Sequence, residues 1–249
     1  MNRKIGIIGG SGLDDPSFFA ISRDVAVSTP YGEPSSSLRE GSIDGVPVVL
    51  MARHGRRHTI PPTQVNYRAN LWALKEAGCT HVLASTAVGS LRDEIERGDL
   101  VIPDQFIDFT RSRPLSFFTS FEPGKPMHVA MADPFDPELR RIMAEELAAL
   151  GYRFHDRGTV VTIEGPRFST RAESRMFRAW GADIINMSVA TEAVMANELG
   201  IPYAAIAMST DYDSWKEDDA VTWEAILAVA HANAEKVLAL FLRVIPRLG

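Results

Sequence analysis

Two carboxylates that lie two residues apart are the first candidates for chemistry. Asp211 and Asp213 follow the apolar, strand-like run of residues 203–208. If the strand continues through them, both side chains project from the same face of the sheet. Carboxylates held this close resist ionising together, so one of them is expected to keep a proton that it can donate to a leaving group. An acidic turn, or a cap for the following helix, is the alternative interpretation.

A glycine-rich segment near the start of the chain could bind an anion. Residues 9–12 (Gly-Gly-Ser-Gly) follow a strand-like run, and small residues let backbone N–H groups approach an anion closely. The dinucleotide-binding spacing fails at Asp15, and the Gly-Lys-Ser/Thr of a P-loop does not follow. A tight turn without a ligand is the alternative.

Two further segments that follow strands have side chains suited to phosphate. In residues 52–58, Arg53 offers a planar fork for two phosphate oxygens, and His54 can add a donor. A solvated basic loop is one alternative. A metal site of His54 and His58 is another, although their spacing needs a helix that Gly55 disfavours. Residues 85–90 (Ser-Thr-Ala-Val-Gly-Ser) could complete the anion site, or form a simple turn.

An aromatic side chain that could stack on a planar base lies in residues 162–169 (Thr-Ile-Glu-Gly-Pro-Arg-Phe-Ser). A predicted strand breaks at Gly165-Pro166, so that Phe168 and then the hydroxyl of Ser169 precede the next helix. A core phenylalanine under a turn is the alternative.

The elements that must position these residues alternate between strands and helices, which predicts an α/β fold with helices flanking a central mixed sheet. The predicted strands are residues 4–8, 48–52, 82–85, 100–102, 159–163, 183–186 and 203–208. The predicted helices are residues 66–76, 136–150, 170–180, 191–199 and 222–244, several of which end at a glycine. Residues 110–135 contain four prolines and four phenylalanines, and are predicted to form a large loop or an intersubunit surface.

Composition excludes several classes of function. The chain has 249 residues, of which 45% are hydrophobic and 23% charged, as in an ordinary globular protein. Its formal net charge of -6 disfavours a nucleic-acid partner. No apolar stretch approaches the roughly 20 residues that span a bilayer. The single cysteine, Cys79, and the absence of a secretory segment at the N-terminus predict a cytoplasmic location.

Together these motifs resemble the purine nucleoside phosphorylase superfamily, and within it the S-methyl-5'-thioadenosine phosphorylases. The resemblance spans residues 7–248, and its most specific stretches are Gly-Gly-Ser-Gly-Leu-Asp-Asp, Ala-Arg-His-Gly, Val-Asn-Tyr-Arg-Ala-Asn-Leu-Trp-Ala-Leu-Lys, Thr-Ile-Glu-Gly-Pro-Arg-Phe-Ser, Trp-Gly-Ala-Asp-Ile-Ile-Asn-Met and Thr-Asp-Tyr-Asp-Ser-Trp. It implies one nucleoside phosphorylase domain over residues 1–249. The implied enzyme uses inorganic phosphate, no metal and no other cofactor, and forms a homotrimer or a dimer of trimers.

The reaction that this resemblance implies is a pentosyl transfer in methionine and purine salvage: S-methyl-5'-thioadenosine and phosphate give adenine and 5-methylthioribose 1-phosphate. The implied catalytic residues are Asp211 and Asp213, at N7 and the amino group of the purine. The implied phosphate-binding residues are Ser11, Arg53, His54, Thr86, the backbone of Ala87, and Ser188. The other implied substrate-binding residues are Phe168 and Ser169 at the base, Met187 at the ribose, Trp223 and Ile226 at the 5' group, and His128 from a neighbouring subunit.

The chain departs from the family pattern at two places. The family's Asn-Met-Thr-Thr-x-Pro-Glu is Asn-Met-Ser-Val-Ala-Thr-Glu at residues 186–192, which keeps a hydroxyl at Ser188. Trp223 stands where the family often has a valine in the 5' pocket. These departures leave the expected preference for 6-aminopurines unchanged but make adenosine a competing substrate. A phosphorylase of 6-oxopurine nucleosides, including methylthioinosine, is a separate hypothesis, although relatives that take 6-oxopurines have asparagine in place of Asp211. A non-catalytic nucleoside-binding protein is the third hypothesis.

Overall fold

The computed structural model describes residues 3–10, 20–218 and 222–249. Eleven strands in these residues form one mixed sheet, and their bounds are β1 (Ile5–Gly9), β2 (Ala20–Val25), β3 (Leu38–Ile43), β4 (Val46–Ala52), β5 (His81–Ser90), β6 (Leu100–Val101), β7 (Gln105–Phe109), β8 (Phe154–His155), β9 (Thr159–Ile163), β10 (Ile184–Asn186) and β11 (Tyr203–Asp211). The α-helices of the same residues are α1 (Tyr67–Glu76), α2 (Pro137–Leu150), α3 (Arg171–Ala179), α4 (Val189–Glu198) and α5 (Trp223–Leu248).

Helices cover both faces of the sheet because its central strands are apolar on both sides. In β1, Ile8 packs in the core layer that contains α1 and α4, whereas Ile7 packs in the layer that contains α2 and α5. Val49 and Val48 of β4 divide in the same way between the two layers. This alternation explains the continuous apolar runs in the sequence, and it confirms the predicted fold class.

The central strand β5 shares one of its edges between two partners. β1 pairs with its first part in parallel, as far as Ala84, and β10 pairs with its last part antiparallel, at Gly89 and Ser90. β11 pairs with β5 from Val82 to Gly89, and therefore occupies the other edge. In the described structure, residues 85–88 consequently have no strand beside them on the edge that β1 and β10 share.

The predicted helices and strands are all present, with ends that differ by a few residues. Four glycines end predicted helices and have positive φ angles, of 81°, 71°, 90° and 66° at Gly78, Gly151, Gly181 and Gly200. The sequence analysis missed β2, β3, β7 and β8. The first three have few fully buried residues and so lack a strong apolar pattern, and β8 has only two residues.

The proline-rich segment 110–135 contains no helix or strand, as predicted, apart from an isolated bridge between Glu122 and Lys125. Its first part is attached to α4, because the carboxylate of Glu198 accepts hydrogen bonds from the hydroxyl of Ser116 and the backbone N–H of Phe117. The large apolar side chains that this segment exposes are Leu115, Phe121, Met127 and Val129. Whether this surface lies between subunits stays a prediction.

The longest helix in the described part of the chain, α5, has 26 residues and is amphipathic. Val237, Leu240 and Phe241 bury one side of it against the sheet. Across the residues that the structure describes, no helix combines the length and the apolar composition that a membrane span requires.

Replacing Thr170 by alanine tests the local contacts that begin α3, just after Phe168 and Ser169. The Thr170 hydroxyl accepts a hydrogen bond from the backbone N–H of Glu173, whose carboxylate accepts one from the backbone N–H of Thr170. We expect Thr170→Ala to lower the free energy of unfolding by about 1 kcal/mol, measured by urea denaturation, because this capping box is lost. Thr119→Ala, at an exposed position, is the control, and an equal effect of both variants would contradict the prediction.

Candidate active site

A pocket of about 510 Å³ lies at the carboxyl ends of the central strands. The connections that follow β4, β9, β10 and β11 contribute to its wall, together with β5 itself and the start of α5. Ligand sites of α/β sheets commonly lie at this edge. Of the predicted site residues, the pocket is lined by Arg53, His54, Thr86, Ala87, Phe168, Ser169, Met187, Ser188, Asp211, Asp213 and Ile226.

The unpaired part of the β5 edge forms one wall of this pocket. The carbonyl of Ser85 points to that edge, where it accepts a hydrogen bond from Nη1 of Arg53 at 2.8 Å. Successive residues of a strand direct their backbone groups to alternate edges, so the N–H of Ala87 points to the same edge. β1 and β10 do not extend far enough to pair with it. The backbone of Ala87 is thus placed to bind a ligand.

Arg53 is buried and forms an ion pair with Glu192, and both side chains are only 1% exposed. Nε and Nη2 of Arg53 donate to the two carboxylate oxygens at 2.5 and 2.9 Å, and the hydroxyl of Tyr203 donates to the same carboxylate. The sequence analysis expected the planar fork of Arg53 to bind two phosphate oxygens, but one edge of the guanidinium already binds Glu192. The guanidinium has five N–H groups, and those not used by Glu192 and Ser85 belong to Nη1 and Nη2.

His54 lies beside Arg53 and is neutral at neutral pH. Burial, followed by the positive charge of Arg53, lowers the pKa of His54 to about 4. Nδ1 lies 2.8 Å from the backbone carbonyl of Ile60, which can only accept, so Nδ1 carries the proton. Nε2 is then an acceptor, contrary to the donor expected from the sequence. Such a ring suits the hydroxyl of a protonated phosphate, and a phosphate dianion nearby would raise its pKa.

Ser188 places a hydroxyl at the N-terminus of α4, in the wall of the pocket that Thr86 also lines. It occupies the N-cap position, but its side chain makes no capping hydrogen bond and lines the pocket instead. The N-terminus of a helix favours an anion, because its first N–H groups and its dipole point outward. Asn186 donates to the hydroxyl of Thr86 at 3.2 Å, which holds β10 against β5 at this point. Arg53, Thr86, Ala87 and Ser188 therefore surround a region suited to an anion.

Asp211 and Asp213 are both buried in the pocket wall, but the strand does not continue through them. β11 has a bulge between Ser209 and Asp211, where it ends, and Asp213 begins a short 3-10 helix with a φ of 48°. Bulges redirect the side chains that follow them. An oxygen of Asp211 accepts a hydrogen bond from the backbone N–H of Asp213 at 3.0 Å. The two carboxylates thus meet by a turn, and not by the extended geometry that the sequence suggested.

Gly89 permits this arrangement of carboxylates. A Cβ atom there would lie 3.0 Å from Oδ2 of Asp211 and 3.1 Å from Cβ of Asp213, which is closer than most real contacts. Both oxygens of Asp213 also accept from the hydroxyl of Ser169, at 3.0 and 2.8 Å. Asp213 is therefore held by the hydroxyl of Ser169, whereas Asp211 accepts a hydrogen bond from the hydroxyl of Thr210 at 2.8 Å and lies beside Gly89, on the edge of β5 that β11 occupies.

Burial is the main cause of the pKa shifts of these carboxyl groups. It raises the pKa of Asp211 to about 6, against the hydrogen bonds from Thr210 and Asp213 that lower it, and the charge of Asp213 adds a smaller upward contribution. Burial also raises the pKa of Asp213, against the hydrogen bonds from Ser169. The raised pKa expected from the sequence is confirmed, but the expected cause, repulsion between the carboxylates, is the lesser one. Perturbed carboxyl groups in a pocket are typical of acid–base sites.

Phe168 and Met187 form the apolar side of the pocket. Phe168 is 40% exposed at its mouth, so the alternative of a core phenylalanine is wrong. Met187 packs against Gly165, where any Cβ atom would overlap the Met187 Sδ, and the φ of 69° at this glycine is one that other residues rarely adopt. The close contact of these two residues sets the shape of the wall on which an apolar ligand group would rest.

Three predicted residues are not among those that line the pocket. Ser11 and the side chain of Trp223 lie outside the described residues. His128 is exposed in the proline-rich segment, where its ring contacts Phe121, so its predicted role at a neighbouring subunit stays a prediction. Where the structure describes the chain, no three His, Cys, Asp or Glu side chains are grouped so as to hold a metal ion.

The sequence analysis missed the residues that hold the predicted ones in place. For Glu192 the sequence had one signal: it is a carboxylate within a run of mostly small and apolar residues, which the structure shows to be buried. Gly89 was noted only as part of a small-residue segment. Arg113 had no signal, because it lies in the irregular segment 110–135, yet it donates to the backbone carbonyl of Met187.

Breaking the buried ion pair should strongly destabilise the protein. Glu192→Gln leaves the charge of Arg53 buried without its counter-charge, so we expect the free energy of unfolding to fall by about 3 kcal/mol. Glu145→Gln is the matched control, because Glu145 forms exposed pairs with Arg141 and Arg247 whose loss has little effect on stability. Urea denaturation of both variants measures the difference, and equal losses would refute the prediction.

The raised pKa of Asp211 predicts a pH-dependent stability. A carboxyl group whose pKa rises on folding, here from 3.8 to about 6, stabilises the fold below the lower value and loses that contribution as the pH rises through the higher one. Between pH 4 and pH 8 we therefore expect the wild type to lose about 2 kcal/mol relative to Asp211→Asn. Urea denaturation at several pH values tests this, and a constant difference would show that the pKa of Asp211 is ordinary.

Known proteins resemble this chain over almost its whole length. The sequence profile of the Phosphorylase superfamily matches residues 4–246. The S-methyl-5'-thioadenosine phosphorylase of Danio rerio is 53% identical over 248 residues, which cover 98% of this chain and 89% of the relative. The enzyme of the same name from Xenopus tropicalis is 52% identical over 251 residues, which cover 99% of this chain and 89% of the relative.

Solved structures show the same fold. Methylthioadenosine phosphorylase from Schistosoma mansoni in complex with adenine superposes with a TM-score of 0.94 at 40% identity, covering 99% of this chain and 92% of the other. A mutant of adenosine/methylthioadenosine phosphorylase from the same organism, in complex with methylthioadenosine, has a TM-score of 0.93 at 39% identity, with 99% and 92% covered. These matches confirm the resemblance inferred from the motifs, and the chain belongs to the phosphorylase superfamily.

Proposed function

We propose that this protein is a pentosyltransferase that cleaves S-methyl-5'-thioadenosine with inorganic phosphate, giving adenine and 5-methylthioribose 1-phosphate. The observation that carries the proposal is one pocket with an anion-binding region at the unpaired edge of β5 and buried, raised-pKa carboxyl groups beside it. The activity for which the relatives are named, and the adenine and methylthioadenosine bound in the Schistosoma mansoni structures, support the same substrate class.

Phosphate would bind where the backbone of Ala87, the free donors of Arg53 and the hydroxyl of Ser188 converge. Since Glu192 neutralises Arg53, these groups bind phosphate mainly by directed hydrogen bonds. A phosphate oxygen attacks C1' of the sugar as the bond from C1' to the purine nitrogen breaks. The anion also stabilises the positive charge that develops on the sugar.

Asp211 would assist the departure of the base. As the glycosidic bond breaks, its electron pair moves to the purine, which becomes basic at N7, so a protonated carboxyl group there lowers the barrier. A pKa of about 6 leaves about a tenth of the Asp211 groups protonated at pH 7. The proton that phosphate loses in forming its ester restores the balance. Asp213, held by Ser169, would accept a hydrogen bond from the 6-amino group.

The preference for a methylthio group over a 5'-hydroxyl would depend on the apolar side of the pocket. Ile226 of α5 lines it, and Met187 and Phe168 supply further apolar surface. One apolar contact of this kind changes specificity by roughly ten- to two-hundredfold. Adenosine is therefore the closest competing substrate in this proposal, and 6-oxopurine nucleosides, which lack the amino group, are weaker ones.

The proposal extends to assembly and setting. We propose a homotrimer, supported by the apolar side chains that segment 110–135 exposes and by the position of His128 among them. The proposed reaction requires inorganic phosphate and no metal or other cofactor. A cytoplasmic location and a role in methionine and purine salvage fit a chain whose single cysteine, Cys79, is buried and free.

Product formation with and without phosphate tests the function. We expect phosphate-dependent release of adenine, faster from S-methyl-5'-thioadenosine than from adenosine, with methylthioinosine and inosine slower still. Asp211→Asn should lower kcat by about a hundredfold or more, because it removes the proton donor. Chromatography of the bases released by each protein measures both.

Two results would contradict this proposal in different ways. Equal or faster turnover of adenosine would reassign the enzyme to a broader class of 6-aminopurine nucleosides. Nucleoside binding without phosphate-dependent product would indicate a binding protein in place of an enzyme.

A further inference from the structure

The side chain of Arg113 is 4% exposed, although it lies in the irregular segment 110–135. Its guanidinium stacks over the ring of Tyr67 at 4.9 Å and forms an ion pair of 3.0 Å with Glu164. Glu164 also accepts hydrogen bonds from the backbone N–H groups of Arg111 and Ser112. The start of the segment is therefore attached to the end of β9 through an ion pair between the buried Arg113 and the partly exposed Glu164, and the reaction proposed above gives no role to either residue.

The guanidinium of Arg113 joins two backbone carbonyls on opposite sides of a wall of the pocket. Nη1 donates to the carbonyl of Met187 at 2.6 Å, and Nη2 donates to the carbonyl of Glu164 at 2.7 Å. Gly165 directly follows Glu164, and the side chain of Met187 packs against it. The hydroxyl of Tyr67 donates to the same Met187 carbonyl at 3.1 Å. Arg113 thus holds together the two connections, after β9 and after β10, that carry Phe168 and Met187.

The anion-binding end of the pocket is held by other contacts. Arg53 is held by Glu192 and by the carbonyl of Ser85, and Thr86 by Asn186. Arg113 donates to none of these groups. A change at Arg113 should therefore shift the apolar wall and leave Arg53, Thr86 and Ala87 in place. Ser188 directly follows Met187, so its hydroxyl is the one of these anion-binding groups that such a shift can reach.

We infer that Arg113 is a positioning residue that sets the nucleoside-binding wall of the pocket, through its bridge between the carbonyls of Glu164 and Met187, with a much smaller effect on phosphate binding. This inference rests on the proposed function. Lysine at this position keeps the charge but has a single donor group in place of the planar fork, so it cannot span both carbonyls and the Glu164 carboxylate in the same geometry. Displacing a substrate-positioning wall by even a fraction of an ångström weakens binding and alignment.

Steady-state kinetics of Arg113→Lys test the inference. We expect KM for S-methyl-5'-thioadenosine to rise by about tenfold, as for the loss of good apolar contact, while KM for phosphate stays within about twofold of the wild-type value. Glu164→Gln removes the counter-charge and leaves Arg113 present, so it should give the same split with a smaller change. It also decides the question if Arg113→Lys does not fold.

The matched control is Arg140→Lys. Arg140 also joins two backbone carbonyls, those of Pro103 and Asp156, but it lies on α2, which contributes nothing to the pocket. Arg140→Lys should lower the melting temperature about as much as Arg113→Lys does, and it should leave the KM values for nucleoside and phosphate unchanged.

The possible outcomes separate this inference from the proposed function. A parallel rise of both KM values in Arg113→Lys, or kinetics no different from those of Arg140→Lys, would overturn the inference while the wild-type activity stands. Absence of phosphate-dependent turnover in the wild type would overturn the proposed function, and the inference with it.

Discussion

The structure depends on the exchange of partners along one edge of β5. β1 leaves this edge after Ala84, and β10 takes it at Gly89, while β11 continues along the other edge. A strand in the centre of a sheet normally has its backbone groups paired on both sides. Here residues 85–88 have no described strand beside them on one edge, and this part of β5 lines the pocket. The position of the pocket, the groups that face it and the burial of its charged residues all follow from this exchange.

Charged side chains near residues 85–88 are removed from water, so their charges must be neutralised by other groups of the protein. Arg53 and Glu192 are balanced by each other, and the hydroxyl of Tyr203 completes the set. Burial disfavours the charge of Asp211 more than its hydrogen bonds from Thr210 and Asp213 and the charge of Arg97 favour it, so its pKa rises. The same burial therefore yields a fixed ion pair at one end of the pocket and a group that can hold a proton at the other.

The sequence predicted the residues of the site better than their arrangement. Strands such as Thr159–Ile163 have a continuous apolar pattern and were located to the residue. The aspartates were found because residues after a buried strand reach the pocket, but the bulge at the end of β11 was not foreseen, since bulges depend on the partner strand. Glu192 pairs with a residue 139 positions away, and Arg113 contacts two separate connections, after β9 and after β10. Pairings of this kind depend on tertiary structure and have no local pattern.

The neutralisation of Arg53 by Glu192 has a consequence for the capture of phosphate from solution. With that pair neutral and His54 uncharged, the described groups of the anion-binding region have little net positive charge, and the whole chain has a formal charge of -6. Long-range attraction is therefore a small part of phosphate binding, and short-range geometry is the larger part. We expect the apparent affinity for phosphate to change little with ionic strength, and other anions of different shape, even highly charged ones, to compete poorly.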